Sequence, residues 1–413
     1  MSRTRYKLKE LGEYRNGANY PKGSYGAGDK IVNVKDLFRG RYVSYDDLGE
    51  LKVGALKNKS LYRVEHGDLL FTRSSLVKSG AGMVAMINNP QGDVLFCGFI
   101  IRFRPEKSKV NPLFLLYLLR SPQYRKLFTD GSVQTNISNI NQDTLGNIEV
   151  ELPDLNEQND IVNILDLCDL KIELNLHINA ELEAMAKTLY DFWFVQFDFP
   201  DEKGQPYKSS GGKMVWNGEL KRDIPVGWKV GSLLDIADYM NGLPCQKFRP
   251  TGNEHLKVIK IKEMHEGFSE NTEFVKPDIP EKAIINNGDV LFSWSASLEV
   301  KIWSGGKGAL NQHIFKVTSE KYPKSFYYFQ LKNYLQHFKM MAENRKTTMG
   351  HITQEHLQQS RIALPPTDLT LKLEKITLPI FERKMKTEIE NLQLTQLRDW
   401  LLPMLMNGQV KVK

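Results

Sequence analysis

The feature that most constrains this chain is that it is written twice. Leu8–Gly17 (LKELGEYRNG) reappears as Leu233–Gly242 (LLDIADYMNG), and Val32–Asp36 (VNVKD) as Ile259–Glu263 (IKIKE). Gly67–Ser75 (GDLLFTRSS) matches Gly288–Ala296 (GDVLFSWSA), Phe99–Phe103 (FIIRF) matches His313–Val317 (HIFKV), and Ser138–Leu145 (SNINQDTL) matches Gly350–Leu357 (GHITQEHL). The order is kept while the offset drifts from 225 to 212 residues, as loop insertions and deletions require. Two diverged copies of one unit of about two hundred residues therefore set the architecture before any element is assigned.

Each copy has the same internal order. A mixed region comes first, with short β-like runs such as KIVNV, GDLLF, CGFIIRF and IEVEL punctuated by Gly, Asn and Pro. A Leu-Pro step follows, Leu152-Pro153 in the first copy and Leu364-Pro365-Pro366 in the second. A helical stretch of about forty residues closes the copy. From Asn156 to Phe197 there is no Pro or Gly, and Ile161, Leu165, Cys168, Ile172, Leu182, Ala186, Leu189 and Trp193 fall on coiled-coil spacing. Asn175 and Asn179 occupy the middle of that seam, where polar residues lower stability and help set register. The second stretch begins near Leu369, and Pro379 predicts a kink or restart inside it. Beyond Pro379, Met385, Ile389, Leu392, Leu397 and Leu401 carry a looser stripe. A long amphipathic helix must bury its stripe, and the nearest partner is its own copy. The expected fold class is α+β: two similar mixed α/β domains separated by two long antiparallel helices that form a coiled-coil spacer, with an internal pseudo-twofold repeat. The boundaries are 1–153 and 228–366 for the mixed domains, 154–197 and 367–413 for the helices, and 198–227 for a Gly/Pro/Ser/Lys-rich, exposed connector.

Composition narrows the function. With 41% hydrophobic and 25% charged residues the chain folds around real cores, and its net charge of +7 permits nucleic-acid binding. Cys97, Cys168 and Cys245 lie far apart and form no Cys-x-x-Cys, which disfavours a disulfide framework or a thiolate zinc site and fits a reducing cytoplasm. The N-terminus lacks an apolar signal-peptide core, and the longest apolar run, Leu113 to Leu119, falls far short of the ~20 residues of a membrane span.

Catalytic signatures are missing from the sequence. Gly212-Lys213-Met214 and Gly306-Lys307-Gly308 do not complete a phosphate-binding loop, and no G-x-S-x-G, H-E-x-x-H or amino-methyltransferase motif is present. His351 and His356 have the wrong spacing to share one helix face. Two loose matches to the PD…ExK nuclease pattern, Pro200-Asp201 with Glu219-Leu220-Lys221 and Pro153-Asp154 with Asp169-Leu170-Lys171, lie in the connector and on the helix, without the strand scaffold that would aim two carboxylates at one Mg²⁺. A nuclease and a protein–protein scaffold stay open as alternatives.

What remains reads as binding. Two similar units on a spacer suit a ligand with two separated recognition points, and double-stranded DNA is such a ligand. The polar segments that differ most between the copies supply the candidates for base and phosphate contact: Arg73, Ser74, Ser75 and Lys78 after the GDLLF strand, with Trp294 and Ser295 opposite them, and Gln134, Thr135 and Asn136, with Arg345, Lys346, Thr347 and Thr348 opposite. Different side chains in the two copies imply a bipartite, asymmetric target.

The chain resembles the specificity subunits of Type I restriction-modification enzymes. The resemblance rests on the two GD-[LV]-L-F runs, the Asn156-Glu157-Gln158 that opens the central helix, and the connector FDFPDEKGQPYKSSGGKMVWN. It rests also on Ile224-Pro225-Val226-Gly227-Trp228 and on the C-terminal Leu401-Leu402-Pro403-Met404-Leu405-Met406-Asn407-Gly408. It covers essentially the whole chain and departs from the family pattern after Pro366, where Thr367-Asp368-Leu369 replaces the expected Glu-Gln helix start. The resemblance implies target-recognition domains in the mixed regions and a chain that catalyses nothing. It implies two modification (methyltransferase) subunits docked on the helices, using S-adenosylmethionine, and restriction (motor nuclease) subunits that use ATP and Mg²⁺. No cofactor is expected in this chain itself. Leu170, Leu174, Ile178, Phe192 and Phe194 are the candidate partner-facing residues.

Overall fold

The structure is a computed structural model that describes residues 3–56, 58–75, 80–130, 138–344 and 351–412. The chain divides into two compact units, Met1–Leu170 with Thr395–Lys413, and Lys171–Leu394. The divisions fall inside the two long helices.

In the first unit a four-stranded antiparallel sheet has the spatial order Gly12–Asn16, Ile100–Pro105, Leu69–Thr72, Val84–Met86. A three-stranded sheet carries Gly28–Val32 between antiparallel Gly49–Lys52 and parallel Val94–Phe96. The GDLLF strand explains how one body forms from both. Leu69 and Phe71 enter one core with Phe103 and Phe114, while Leu70 enters a second core with Ile31 and Phe96. Alternate side chains point to opposite faces of a strand, so a run that is apolar at every position must be covered on both sides.

The second unit repeats the plan. Its four-stranded antiparallel sheet runs Asp238–Asn241, Ile314–Thr318, Val290–Ser293, Glu299–Ile302. The second sheet keeps the parallel pair, Leu256–Ile259 with Gly308–Leu310. Val290 and Phe292 feed one core and Leu291 another. The short pair Thr4–Lys7 with Glu149–Leu152 has its counterpart in Lys229–Ser232 with Arg361–Leu364. The sequence repeat is thus a repeat of topology.

The central helix spans Leu155–Tyr190 and ends in a π-helical turn, Asp191–Val195. Asp154 opens it by accepting the Glu157 N–H at 2.9 Å. Gln158 is buried and bridges outward, donating to the Pro153 carbonyl and accepting the Asn111 N–H at 2.8 Å. The distal helix spans Thr367–Met406. The Thr-Asp-Leu start therefore opens a helix without the Glu-Gln signature. The helix does not restart at Pro379, because it is continuous from Thr367 to Met406. Pro379 is exposed.

Within the second unit the helices pair antiparallel, with Asn175 against Asn391, Asn179 against Thr387 and Glu183 against Lys384. In the first unit Asp169 of the central helix meets Arg398 of the distal one. The seam residues Ile161, Leu165, Cys168 and Ala186 are buried, as the spacing requires.

Residues 198–227 are exposed along most of their length, as their composition predicts, and they carry local structure as well. Met214–Asn217 and Arg222–Pro225 form a hairpin, and Phe197 and Phe199 are buried. Phe199 stacks between Tyr207 and Trp228, with ring centroids 4.6 and 5.5 Å away, and the Arg222 guanidinium lies over Phe197 at 4.4 Å. Aromatic rings spaced along the segment supply a nucleus, and the glycines and prolines shape turns around it. All three cysteines are free and buried. Among the described residues no helix is long and apolar enough to cross a membrane.

Candidate nucleic-acid interface

Each unit holds one end of its four-stranded sheet in the same backbone frame. In the first unit the residue after the GDLLF strand is Arg73. Its N–H donates to the Phe99 carbonyl at 2.8 Å, and its carbonyl accepts the Ile140 N–H at 2.8 Å. In the second unit Trp294 takes that place, donating to the His313 carbonyl at 3.4 Å and accepting the Ile352 N–H at 3.0 Å. An Asn-Gly pair lies beside each: Gly17 donates to the Ile100 carbonyl and Gly242 to that of Ile314. A Cβ on Gly17 would lie 2.0 Å from the Cys97 carbonyl oxygen, and one on Gly242 would lie 2.3 Å from that of Leu310. Only glycine lets these backbones approach so closely.

The side chains on this common frame differ. The first unit presents half-buried Arg73 and Ser74 beside Phe99, which is 63% exposed, and Asn16, also exposed. Among the described residues the Arg73 guanidinium has no carboxylate partner. The second unit presents Trp294, whose indole N–H donates to the Asn241 side-chain oxygen at 3.0 Å. The indole packs against His313, with centroids 5.5 Å apart, and edge-to-face with His351 at 5.2 Å. Gln312 contacts the His313 ring at 3.3 Å. One surface is cationic and aliphatic-aromatic; the other is an amide–imidazole–indole cluster. Both offer donors and acceptors of the kind that read base edges.

The structure brings Arg73 and Ser74 together at one such site and places Trp294 at the other. Ser295 is buried at 5% exposure and presents little surface for contact. Ser75 pairs through its backbone with Ser138. Lys78, Gln134, Thr135, Asn136, Arg345, Lys346, Thr347 and Thr348 lie outside the described residues. Asn16, Phe99, Asn241, Gln312 and His313 did not stand out in the sequence, and His351 did so only as a metal-ligand candidate set aside for its spacing. Their signal was present, because all six stand in or at the edge of the repeated runs, but a strand-end residue gives no sign in sequence that its side chain is exposed.

The helix residues divide. Leu170 and Leu174 are 49% and 54% exposed, Phe192 is 38% exposed and Ile178 is half-buried. Phe194 is a correction. It is buried against Tyr190, Trp228 and Phe326, so it belongs to the core of its unit and offers no partner surface.

The nuclease pattern meets other uses. Asp201 accepts the backbone N–H groups of Lys203 and Gln205 in a turn, and Glu219 holds Arg361 in a two-pronged ion pair at 2.7 and 2.9 Å. Asp154 caps the central helix, and Asp169 is engaged by two arginines. The His356 ring accepts the Thr353 N–H at a helix start. Among the described residues no group of three or more His, Cys, Asp or Glu could hold a metal ion.

Two copies of one fold, each presenting a different polar surface on the same frame, define a duplicated recognition module. The family model described as the Type I restriction modification DNA specificity domain matches residues 4–184 and again residues 225–397, and the chain belongs to that family. It is similar to the Type I restriction enzyme MjaIX specificity subunit of Methanocaldococcus jannaschii, 25% identical over 422 residues, covering 98% of this chain and 93% of the relative. It is also similar to the HindI specificity subunit of Haemophilus influenzae, 22% identical over 440 residues, covering 92% and 94%. Among solved structures, the S subunit of the Type I restriction-modification system from M. genitalium shares the fold, with a TM-score of 0.59 at 13% identity over 98% of this chain and 96% of that one.

Proposed function

We propose that this chain is the non-catalytic DNA-reading subunit of a Type I restriction-modification assembly that defends its host against phage. Residues 1–153 and 228–366 each read one half of a bipartite, asymmetric double-stranded site. The helices 154–197 and 367–413, joined through 198–227, set the gap between the halves. Exposed apolar residues on the helices, Leu170, Leu174 and Phe192 among them, dock two methyltransferase subunits, to which motor-nuclease subunits add. S-adenosylmethionine, ATP and Mg²⁺ belong to those partners, and the assembly works in the cytoplasm. The observation that carries this reading is the shared backbone frame with unlike side chains, Arg73 and Phe99 in one unit, Trp294 and His313 in the other. A net charge of +7 supports affinity for the phosphate backbone.

The test is co-expression with the cognate methyltransferase and mapping of methylated adenines in host DNA by single-molecule sequencing. The expected result is one two-part motif with a fixed gap that disappears when this chain is deleted. His313→Ala should degrade the motif in one half only, because a lost base contact costs about 1–3 kcal/mol of discrimination at that position. Unaltered methylation without the chain would refute the proposal.

A further inference from the structure

In each unit one carboxylate of the central helix, buried in the first and half-buried in the second, is satisfied by the same three kinds of donor. In the first unit the carboxylate is Asp169. It accepts from Arg41 of the mixed region at 3.1 Å, from Arg398 of the distal helix at 2.6 Å and from the Tyr117 hydroxyl at 2.5 Å. In the second unit the carboxylate is Glu183. It is held by Lys332 of the mixed region, by Lys384 of the distal helix at 3.1 Å and by the Tyr328 hydroxyl at 3.0 Å. Tyr117 and Tyr328 stand on corresponding helices, Pro112–Arg120 and Lys324–Asn344. The side chains of Asp169 and Arg41 are each only 10% exposed, and that of Lys384 is 13% exposed.

The internal repeat does not dictate this likeness. An offset of 212 would carry Asp169 onto the distal helix at Phe381, which is buried in an apolar core. Yet in both units the acid comes from the central helix, one cation from the distal helix, and the second cation and the hydroxyl from the mixed region. Apart from the two tyrosines, the same donor set has been assembled from non-corresponding residues. A buried charge cluster is a poor way to gain stability, since desolvation offsets most of the Coulombic attraction and an apolar replacement is often as good. It is an effective way to fix geometry, because an apolar seam tolerates sliding while a carboxylate with three directional donors does not. Burial and the adjacent Asp169 push the Tyr117 hydroxyl well above its ordinary range, so it stays a donor. Burial and the neighbouring Lys384 lower Lys332 to about 8, which leaves it charged at neutral pH.

We propose that Asp169 and Glu183 are positioning residues that lock each recognition body onto the helix pair, and that the two locks together hold the gap of the bipartite site to a single length. The inference rests on the reading that each unit recognises one half-site.

The experiment is methylated-adenine mapping with the intact methyltransferase complex of wild type, Asp169→Asn and Glu183→Gln. Both variants keep the size of the side chain and remove its charge. The expected result is that both half-site sequences persist while sites one base pair longer or shorter gain methylation about ten-fold, the scale of one lost hydrogen bond to a charged group. Arg398→Met and Lys384→Met, which remove only the distal-helix donor and suit a helix, carry the same expectation and stand in for any variant that fails to fold. A single unchanged gap in all folded variants would overturn the proposal. So would a uniform fall in methylation with the gap unchanged, which is what a merely structural role predicts. Loss of any bipartite motif in the wild type would remove the underlying reading and the locks with it.

Discussion

At the scale of single residues, Asp235 links the sequence repeat to a measurable energy. Its carboxylate accepts the Ser232 N–H at 2.6 Å and the Ser232 hydroxyl at 2.9 Å, closing a capping box over the helix Leu233–Ile236. Those hydrogen bonds hold the carboxyl below its ordinary value of 3.8. A folded-state value below the unfolded one contributes stability that is complete above pH 3.8 and is lost as the pH falls through the folded value. Asp235→Asn should therefore lower the melting temperature at neutral pH, and the difference from wild type should shrink on acidification below about pH 4. A difference that persists at pH 3 would assign the effect to packing instead. The box was within reach of the sequence, since Ser-x-x-Asp stands in the second copy of the repeated run. Arg73, Ser74 and Trp294 were legible as differences between aligned copies. Asn241, His313 and His351 were not, because their importance comes from convergence on one indole across separations that no local pattern encodes.

At the scale of elements, the antiparallel helix pair has a polar centre. Asn175 is fully buried and donates to Glu390 at 2.7 Å and to Asn391 at 2.8 Å, while Asn179 accepts from Thr387. Both asparagines were placed on the seam by spacing alone, but their partners could not be read from sequence because the offset of two helices is a property of the fold. The restart expected at Pro379 failed because the helix continues through that exposed position. The polar centre makes opposite predictions for single and paired changes. Asn175→Leu alone strands the Asn391 side-chain oxygen without its donor, while Glu390 keeps Lys171, and should destabilise by about 1–3 kcal/mol. Adding Asn391→Leu removes the second polar partner and fills the seam, so the double variant should recover most of that loss. Denaturant unfolding of both variants decides the point, and a double variant as unstable as the sum of the two single changes would mean that the pair does not act as a unit.

At the scale of the whole molecule, duplication was the most legible property, because five ordered matches leave little freedom for any other architecture. The exposure of the connector was legible in its composition, whereas the burial of Phe199 depends on where Tyr207 and Trp228 fold back. The proposed function adds a length to this architecture. If the helix pair sets the gap between half-sites, lengthening both helices together must lengthen the gap. Four residues inserted after Asn179 and four before Thr387 keep the Asn175 pairing with Asn391 intact and extend the pair by ~6 Å at the rise of an α-helix. That distance approaches two base pairs at ~3.4 Å each. Methylated-adenine mapping should then return the same two half-sites with a longer gap. An insertion in one helix alone shifts Glu183 against Lys384 and should lower methylation without a defined new gap. Retention of the wild-type gap by the paired insertion would show that contacts other than the helices fix the distance between the two halves of the target.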